Sequence, residues 1–303
     1  MIYCSARYGT GPTEYLLFDY ASLGHTQRAG MLTHMKNQQL VRKFNDPSVR
    51  DIFDNKSNFN RVFQKFLHRK WIDASTSSFI EFANTVAEWD VLVCKPPYGT
   101  CGKGIEFIPI TDTNSLHSIY KHIRAKGNTV VEQLVKQHCK LDEFNPLSVN
   151  TLRMLTLSIH GIHLITSYIR FSIDKQVDNF NSGGFIAHVN PSTGIIDRPG
   201  CDKKGNIYDS HPTTGSKLIG QQIPFFDEIC TMLDAAAKVE PKVAYVGWDV
   251  AIATNGPLLI EGNYIPTFEF YHLPCQQECD AGIYNRICSI ISGKTDEFLI
   301  SKS

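Results

Sequence analysis

Two carboxylates and one amide interrupt a pair of apolar segments near the C-terminus, in GWDVAIATNGPLLIEGN (247–263). Asp249 lies in the first segment, and Glu261 and Asn263 lie in the second. The Asn-Gly dipeptide between the segments is typical of a β-hairpin. Carboxylate and amide oxygens suit Mg²⁺, which keeps its remaining positions for water and phosphate. The three residues are therefore candidate magnesium ligands, and a solvent-facing polar stripe on an edge hairpin is the alternative interpretation.

The register of this hairpin decides whether the two carboxylates can act together. A two-residue loop at 255–256 would place Glu261 on the face opposite to Asp249. A three-residue loop at 254–256 puts Asp249 directly across from Glu261, and this is the register that we expect. Like charges at opposed positions destabilise a sheet, so we expect a divalent cation to offset them. The other face of the hairpin is then uniformly apolar and contains Val250, Ile252, Leu258 and Ile260.

A glycine-rich segment, VLVCKPPYGTCGKG (91–104), is a candidate phosphate-binding loop. Lys95 ends a predicted strand, and three glycines follow at positions 99, 102 and 104. Glycines let backbone N–H groups converge on phosphate oxygens, while the lysine adds a point charge. The segment matches neither the Walker pattern nor a dinucleotide-binding fingerprint, because a strand rather than a helix follows the loop. A tight turn with a solvated lysine is the alternative.

The phosphate loop and the acidic set indicate more together than either does alone. A nucleoside triphosphate needs both, because the metal bridges the phosphate oxygens that the loop holds. Arg153, in NTLRML, and Arg170, in YIRFS, lie on predicted strands between the two motifs. They are candidates to stabilise the charge of a transferred phosphoryl group. Each arginine taken singly would be interpreted as a surface or ion-pairing residue.

The composition argues against several other classes of protein. The 303 residues include 30 basic and 30 acidic ones, whereas nucleic-acid-binding and membrane-surface proteins normally carry a basic excess. No apolar run is long enough to cross a bilayer, and MIYCSARYGTG lacks the apolar segment of a signal peptide. The nine scattered cysteines predict reduced thiols and a cytoplasmic location. His272, Cys275 and Cys279 lack the fourth ligand and the spacing of a zinc site.

The order of predicted elements places these motifs in an α+β fold. The apolar spacing predicts helices over residues 20–90. From Val91 the pattern predicts a strand, the glycine loop, a second strand, a helix that ends at Gly127, and a further strand in VVEQLV. After Pro146 we expect two hairpins, an amphipathic helix, the acidic hairpin and a C-terminal helix. This order predicts two lobes with mostly antiparallel sheets.

These motifs resemble those of the ATP-grasp superfamily, and most closely its sugar-transfer associated branch, which is related to the α-L-glutamate ligases. The similarity runs from about Asp51 to Tyr264. It is carried by KPPYGTCGKGI, VVEQLV, SVNTLRMLTL, DNFNSGG and YVGWDVAI…GPLLIEGN, of which the last block is the most specific. Cys101 departs from the pattern, which usually has glycine there.

The resemblance implies an ATP-grasp fold, in which two α+β lobes with mostly antiparallel sheets grip ATP. It divides the chain into a helical N-terminal extension at 1–50, a small lobe with the phosphate loop at 51–145 and a catalytic lobe with the metal hairpin at 146–303. The cofactors implied are ATP and Mg²⁺. We expect small-molecule substrates, and neither nucleic acid binding nor membrane insertion.

The resemblance also implies roles for single residues. Arg153 and Arg170 would be catalytic and would stabilise the γ-phosphate and the acyl phosphate. The magnesium ligands would be Asp249, Glu261 and Asn263. Asp142 and Glu143 are both candidates for binding the ribose. The residues that would contact ATP lie in DNKSNF, the glycine loop and VEQLV: Lys56, Lys95, Gly99, Thr100, Gly102, Lys103, Gly104, Glu132, Gln133, Leu134 and Val135.

The activity that the resemblance implies is ATP-dependent carboxylate–amine ligation. A carboxylate attacks the γ-phosphate to give an acyl phosphate and ADP, and an amine then displaces phosphate. The branch suggests a sugar-linked carboxylate in polysaccharide biosynthesis. The polar segment 199–224 is a candidate wall of the acceptor pocket, with His211 and Lys217 available to an anion; a surface connection is the alternative. A kinase acting on a sugar or polyol hydroxyl and a non-catalytic ATP-binding component remain as alternative functions.

Overall fold

The computed structural model describes residues 1–99, 102–112, 115–173, 180, 183–277, 282–294 and 300. The α-helices within these ranges are α1 (Ile2–Tyr8), α2 (Pro12–Leu17), α3 (His25–Gly30), α4 (His34–Phe44), α5 (Arg50–Asp54), α6 (Lys56–Val62), α7 (Phe79–Val86), α8 (Leu116–Lys126), α9 (Cys139–Asp142), α10 (Phe226–Ala237) and α11 (Ile283–Ile291). None of these described helices combines the length and the apolar character that a bilayer crossing requires.

The strands form two sheets in which every described pairing is antiparallel. They are β1 (Trp71–Asp73), β2 (Val91–Lys95), β3 (Glu106–Pro109), β4 (Val130–Gln133), β5 (Leu152–Ser158), β6 (Ile162–Phe171), β7 (Phe185–Val189), β8 (Gly200–Asp202), β9 (Ile207–Tyr208), β10 (Tyr245–Ala253) and β11 (Gly256–Asn263). The first sheet has the order β1-β4-β2-β3, and the second has the order β11-β10-β5-β6-β7-β8-β9. The predicted α+β class is confirmed.

Each sheet has its own apolar core, and a third small cluster lies between the sheets. The larger core joins the seven-stranded sheet to the N-terminal helices, where Phe53 and Phe63 pack against Trp248. The four-stranded sheet packs on α7 and α8. The third cluster links β10 and β11 to Val135 and Val149. Because the two sheets pack around separate cores, a cleft remains between them. The candidate site lies in this cleft.

The prediction of helices over 20–90 is correct in part. Helices and 3₁₀ turns continue to Phe66, and α7 begins with a capping box between Ser78 and Glu81. Strand β1 interrupts this region, because Trp71–Asp73 pairs with β4. Three residues are too few to show the alternation of a strand, so the sequence pattern does not reveal it.

The predicted opposition of Asp249 and Glu261 is confirmed, but the predicted loop is wrong. Ala253 pairs with Gly256, so the turn has two residues, Thr254 and Asn255. Asp249 pairs with Glu261, and the next pair along β10 skips one residue of β11. That residue, Ile260, is the extra residue of a β-bulge, which restores the opposition of the acids.

Because of the bulge, the apolar face of the hairpin contains different residues from those predicted. Leu258 pairs with Ala251 and packs with it in the cluster between the sheets, where Ile260 also lies. Leu259 instead joins Val250 and Ile252 in the larger core. The side of the hairpin that presents the acids therefore continues into an apolar surface that faces the four-stranded sheet.

Candidate active site

Two arginines hold Asp249 on the central strands of the seven-stranded sheet. Arg153 on β5 pairs with Asp249 on β10 across the ladder, and its Nε and Nη2 atoms both donate to the carboxylate. Arg170 on β6 donates from Nη2 at 2.9 Å. The sequence predicts that a cation offsets repulsion between the two acids. The structure adds two guanidinium groups that neutralise part of the charge at Asp249.

The two carboxyl groups differ in how readily they ionise. Burial would raise the pKa of Asp249, but the charges of Arg153 and Arg170 outweigh it and hold that pKa below its ordinary value. Burial and the charge of Asp249 raise the pKa of Glu261, against the opposing effect of Lys56. Within the described residues, Glu261 makes no close ion pair. It is therefore the acid that gains most from a bound cation.

The donor set of this cluster fits Mg²⁺ through its oxygens. Asn263 donates from its side-chain nitrogen to the carbonyl of Gly247 at 2.9 Å, which leaves its amide oxygen for a cation. Among the described residues, no group of three or more histidine, cysteine or acidic side chains is arranged to hold a metal ion. The two carboxylates and the amide oxygen of this cluster are oxygen donors, which fit a hard cation.

A cavity of about 240 Å³ lies between the two sheets, beside this cluster. Apolar side chains from β2, β3 and the bulge form its walls, including Val93, Phe107 and Ile260. After β4 the chain leaves the sheet, and within the described residues the backbone N–H groups of Leu134 and Val135 have no hydrogen-bond partner. An apolar slot with unpaired backbone groups at one wall is suited to a flat heterocycle such as adenine.

One buried carboxylate anchors Lys95, which the sequence predicts as a phosphate-binding residue. Glu132 on β4 accepts from Lys95 on β2 at 2.6 Å and from Asn60 at 2.9 Å. Arg69 adds a two-pronged ion pair, with its Nε and Nη2 each 3.0 Å from a carboxylate oxygen. Burial would raise the pKa of Glu132, but Arg69 and Lys95 hold it far below its ordinary value. Glu132 therefore stays ionised inside the cleft.

A second cavity, of about 340 Å³, adjoins the first along β11. Ile260 lines the first cavity, and Glu261 and Asn263 line the second. Lys56 lies at its wall and donates from Nζ to the carbonyl of Gly99 at 2.7 Å. Burial lowers the pKa of Lys56, and the charge of Glu261 opposes this shift. The lysine therefore lies between the glycine loop and the acidic pair.

The glycine loop has the backbone that its residue types predict. Gly99, Gly102 and Gly104 have φ values of 138°, 69° and 79°, in the left-handed region that favours glycine. The carbonyl of Gly104 accepts from Asn128 at 2.8 Å, and Lys103 is exposed. The predicted nucleotide contact Thr100 lies outside the described residues. So does Cys101.

The structure separates the two candidates for binding ribose. Asp142, at the end of α9, lines the first cavity and accepts from Gln137 at 3.0 Å. Glu143 is exposed and does not line the cavity. Gln133 lines the cavity beside Leu134, while its backbone N–H is bonded to Lys70.

His211 is not available to an acceptor, contrary to the expectation for segment 199–224. Its ring lies against Phe171 and Phe185, and its Nε2 lies 3.1 Å from the carbonyl of Ser172. Only 1% of the residue is exposed. His211 is therefore part of the apolar core, whereas Lys217 is exposed.

Sequence reasoning misses two residues of the site, Arg69 and Asn60. Both reach Glu132, although they precede it by 63 and 72 positions. Arg69 lies in the basic segment HRK, which suggests only a solvated surface. Its role depends on two sheets meeting at one edge, and no local spacing encodes that arrangement.

Two facing sheets with a glycine loop on one and paired acids on the other define an ATP-grasp fold. The chain belongs to the sugar-transfer associated ATP-grasp family, whose model matches residues 35–290. None of the curated proteins compared with the chain matches it.

Solved structures that resemble the chain include ATP-grasp ligases and synthetases. The ATP-grasp ligase PsnB, complexed with a minimal precursor, aligns with a TM-score of 0.48 and 12% identity over 81% of this chain and 62% of that chain. N5-carboxyaminoimidazole synthetase from Staphylococcus aureus gives 0.49 and 9%, over 87% and 58%. D-alanyl-alanine synthetase A from Vibrio cholerae gives 0.45 and 8%, over 80% and 65%. The chain thus spans less than two thirds of the length of each of these proteins.

Proposed function

We propose that the protein is an ATP-dependent ligase that joins a carboxylate to an amine through an acyl phosphate. The observation that carries this proposal is one cleft that combines three features: an apolar slot with free backbone groups, the paired Lys95 and Glu132, and the acids Asp249 and Glu261. Family membership and the ligases among similar structures support it.

We assign the parts of Mg-ATP along the cleft. The adenine would lie against Leu134 and Val135, and the ribose hydroxyls would meet Asp142. Lys95 and Lys56 would contact the phosphates under the glycine loop. Asp249, Glu261 and Asn263 would hold Mg²⁺, which supplies charge neutralisation at the triphosphate when bound.

The two arginines would stabilise the charge that develops when a carboxylate attacks the γ-phosphate. Arg153 and Arg170 already lie on Asp249, and Arg170 also donates to Thr151, which lines the first cavity. Because hydrogen bonds to Asp249 and Thr151 already hold these guanidinium groups in place, they need little reorganisation during the reaction. Two anions approach one another only where such fixed positive charge reduces their repulsion.

We propose the second cavity as the place of the acceptor carboxylate. Beyond Glu261 and Asn263 its lining includes Lys56, Tyr98, Tyr264 and the ion pair between Arg50 and Asp54. A guanidinium beside aromatic rings suits an anionic substrate that has a ring and hydroxyl groups. The family description and this lining support a sugar-linked carboxylate in polysaccharide biosynthesis, with an amino acid or another amine as the second substrate. We also propose a cytoplasmic location, where ATP and reduced thiols are available.

An ADP-release screen that crosses uronic-acid nucleotides and other carboxylates with amino acids tests this function. We expect ADP to form only when a carboxylate and an amine are both present. A phosphorylated product formed without any amine would favour the kinase instead. Binding of Mg-ATP with no turnover on any pair would favour a non-catalytic component of a glycan-assembly system.

The assignment of Asp142 to the ribose predicts a selective effect on ATP. Replacing Asp142 with Asn should raise the KM for ATP about tenfold, since a hydrogen bond to a charged group contributes about 1.5 kcal/mol. The kcat at saturating ATP should change little, because the ribose lies away from the reacting atoms. Glu143→Gln is the matched control and should leave both constants unchanged. An equal effect of the two substitutions would contradict the assignment.

A further inference from the structure

Residues 68–70 join the two sheets along the open edge of β11. An edge strand presents unpaired carbonyls outward, and this segment covers three of them. The ring Nδ1 of His68 lies 2.9 Å from the carbonyl of Pro257. Arg69 donates from Nη1 to the carbonyl of Leu259, and its Nη2 lies 3.5 Å from that of Ile260. Two of the three carbonyls thus belong to the bulge that places Glu261 opposite Asp249.

The same guanidinium forms the ion pair with Glu132 on the other sheet. The side chains of Arg69 and Glu132 are only 3% and 4% exposed. Glu132 also accepts from Lys95, so one carboxylate serves two cations. Arg69 is therefore a continuous link between the backbone of the metal hairpin and the lysine of the phosphate site.

We propose that Arg69 is a positioning residue that keeps Lys95 available to the triphosphate and fixes its place relative to the metal hairpin. The proposal rests on the proposed function. Arg69, Lys95 and Glu132 carry two positive charges and one negative charge, which leaves one positive charge for the phosphates. Without Arg69 the group is neutral, and Glu132 holds Lys95 in a one-to-one ion pair away from the nucleotide.

Calorimetric titration of the full chain with Mg-ATP tests this inference. We expect Arg69→Met to increase the Kd for Mg-ATP about 30-fold. This loss is within the range that a hydrogen bond to a charged group typically contributes. Adding Glu132→Gln to that variant should recover most of the loss, because it removes the carboxylate that competes for Lys95. A purely structural role predicts the opposite, since the double variant would bind no better than Arg69→Met.

Arg61→Met is the matched control. Arg61 lies on the same lobe and pairs with Asp73, but its side chain is 50% exposed. It should leave Mg-ATP binding unchanged, which separates the local network from a general loss of positive charge. Arg69→Lys keeps the positive charge but loses the planar guanidinium that can bond the carboxylate and the carbonyls together. We therefore expect a Kd for Mg-ATP within about threefold of wild type and an about tenfold lower kcat. This variant carries the test if Arg69→Met does not fold.

The possible outcomes are distinct. Equal Mg-ATP binding by wild type and Arg69→Met, no recovery in the double variant, or an unaltered kcat of Arg69→Lys would overturn the inference alone. Absence of Mg-ATP binding by the wild-type protein would overturn the proposed function and the inference with it.

Discussion

Replacing Glu261 with Gln is expected to reduce kcat about 100- to 1,000-fold while the protein remains folded. Glu261 is the proposed metal ligand that forms no close ion pair within the described residues, and removing a charge that faces a transferred phosphoryl group typically costs about two to three orders of magnitude. Steady-state ADP release at saturating Mg-ATP and circular dichroism measure the two quantities. Glu228→Gln, an exposed acid on α10, is the control and should retain full turnover. Normal turnover by Glu261→Gln would exclude Glu261 as a ligand.

The same variant should be at least as thermally stable as wild type when Mg²⁺ is absent. The pKa of Glu261 is raised by burial and by Asp249, so its ionised form destabilises the folded state. That cost is absent below the ordinary pKa of a glutamate and grows as pH rises through the raised pKa of the folded protein. The difference in Tm between variant and wild type should therefore increase from acidic to neutral pH. A stability deficit at neutral pH would contradict this account of the pair.

Replacing Lys95 with Met is expected to raise the KM for ATP about 100-fold. The substitution removes the positive charge that the cluster presents to the phosphates, for which a loss of about 2.7 kcal/mol is reasonable. Folding should persist, because Glu132 keeps its bonds to Arg69 and Asn60. The measurements are the KM for ATP and the thermal midpoint.

Lys121→Met is the control for that experiment, because this lysine is exposed on α8. It should leave the KM for ATP unchanged. An unaltered KM in Lys95→Met would show that Lys95 serves Glu132 alone and would remove it from the nucleotide site. Unfolding of Lys95→Met would instead show that one guanidinium and one amide do not satisfy the buried carboxylate.

The acidic hairpin shows what the sequence could and could not predict. Residue types and the turn signal were sufficient to place Asp249 across from Glu261. The means of doing so, a two-residue turn with a bulge at Ile260, could not be predicted, because a longer loop gives the same opposition. The bulge is stabilised by contacts with another lobe, and such contacts leave no periodic signal in the chain.

The ion-pair partners of the charged site residues could not be predicted from the sequence. Arg153 and Arg170 were predicted to belong to a phosphate site, but their contact with Asp249 depends on strand pairing in a sheet of seven strands and could not be predicted. His211 shows the converse, since a histidine in a polar segment proves to be buried among aromatic rings. Residue types thus indicated which side chains are candidates for the chemistry, whereas they did not indicate the partner of each charge.

A crystal structure with a nonhydrolysable ATP analogue and Mn²⁺ would show directly whether the acidic hairpin binds a metal beside the triphosphate. We expect an anomalous peak within bonding distance of oxygens of Asp249, Glu261 and Asn263, next to the terminal phosphates, with the adenine against Leu134 and Val135. A peak elsewhere, or a nucleotide bound outside the space between the two sheets, would contradict it.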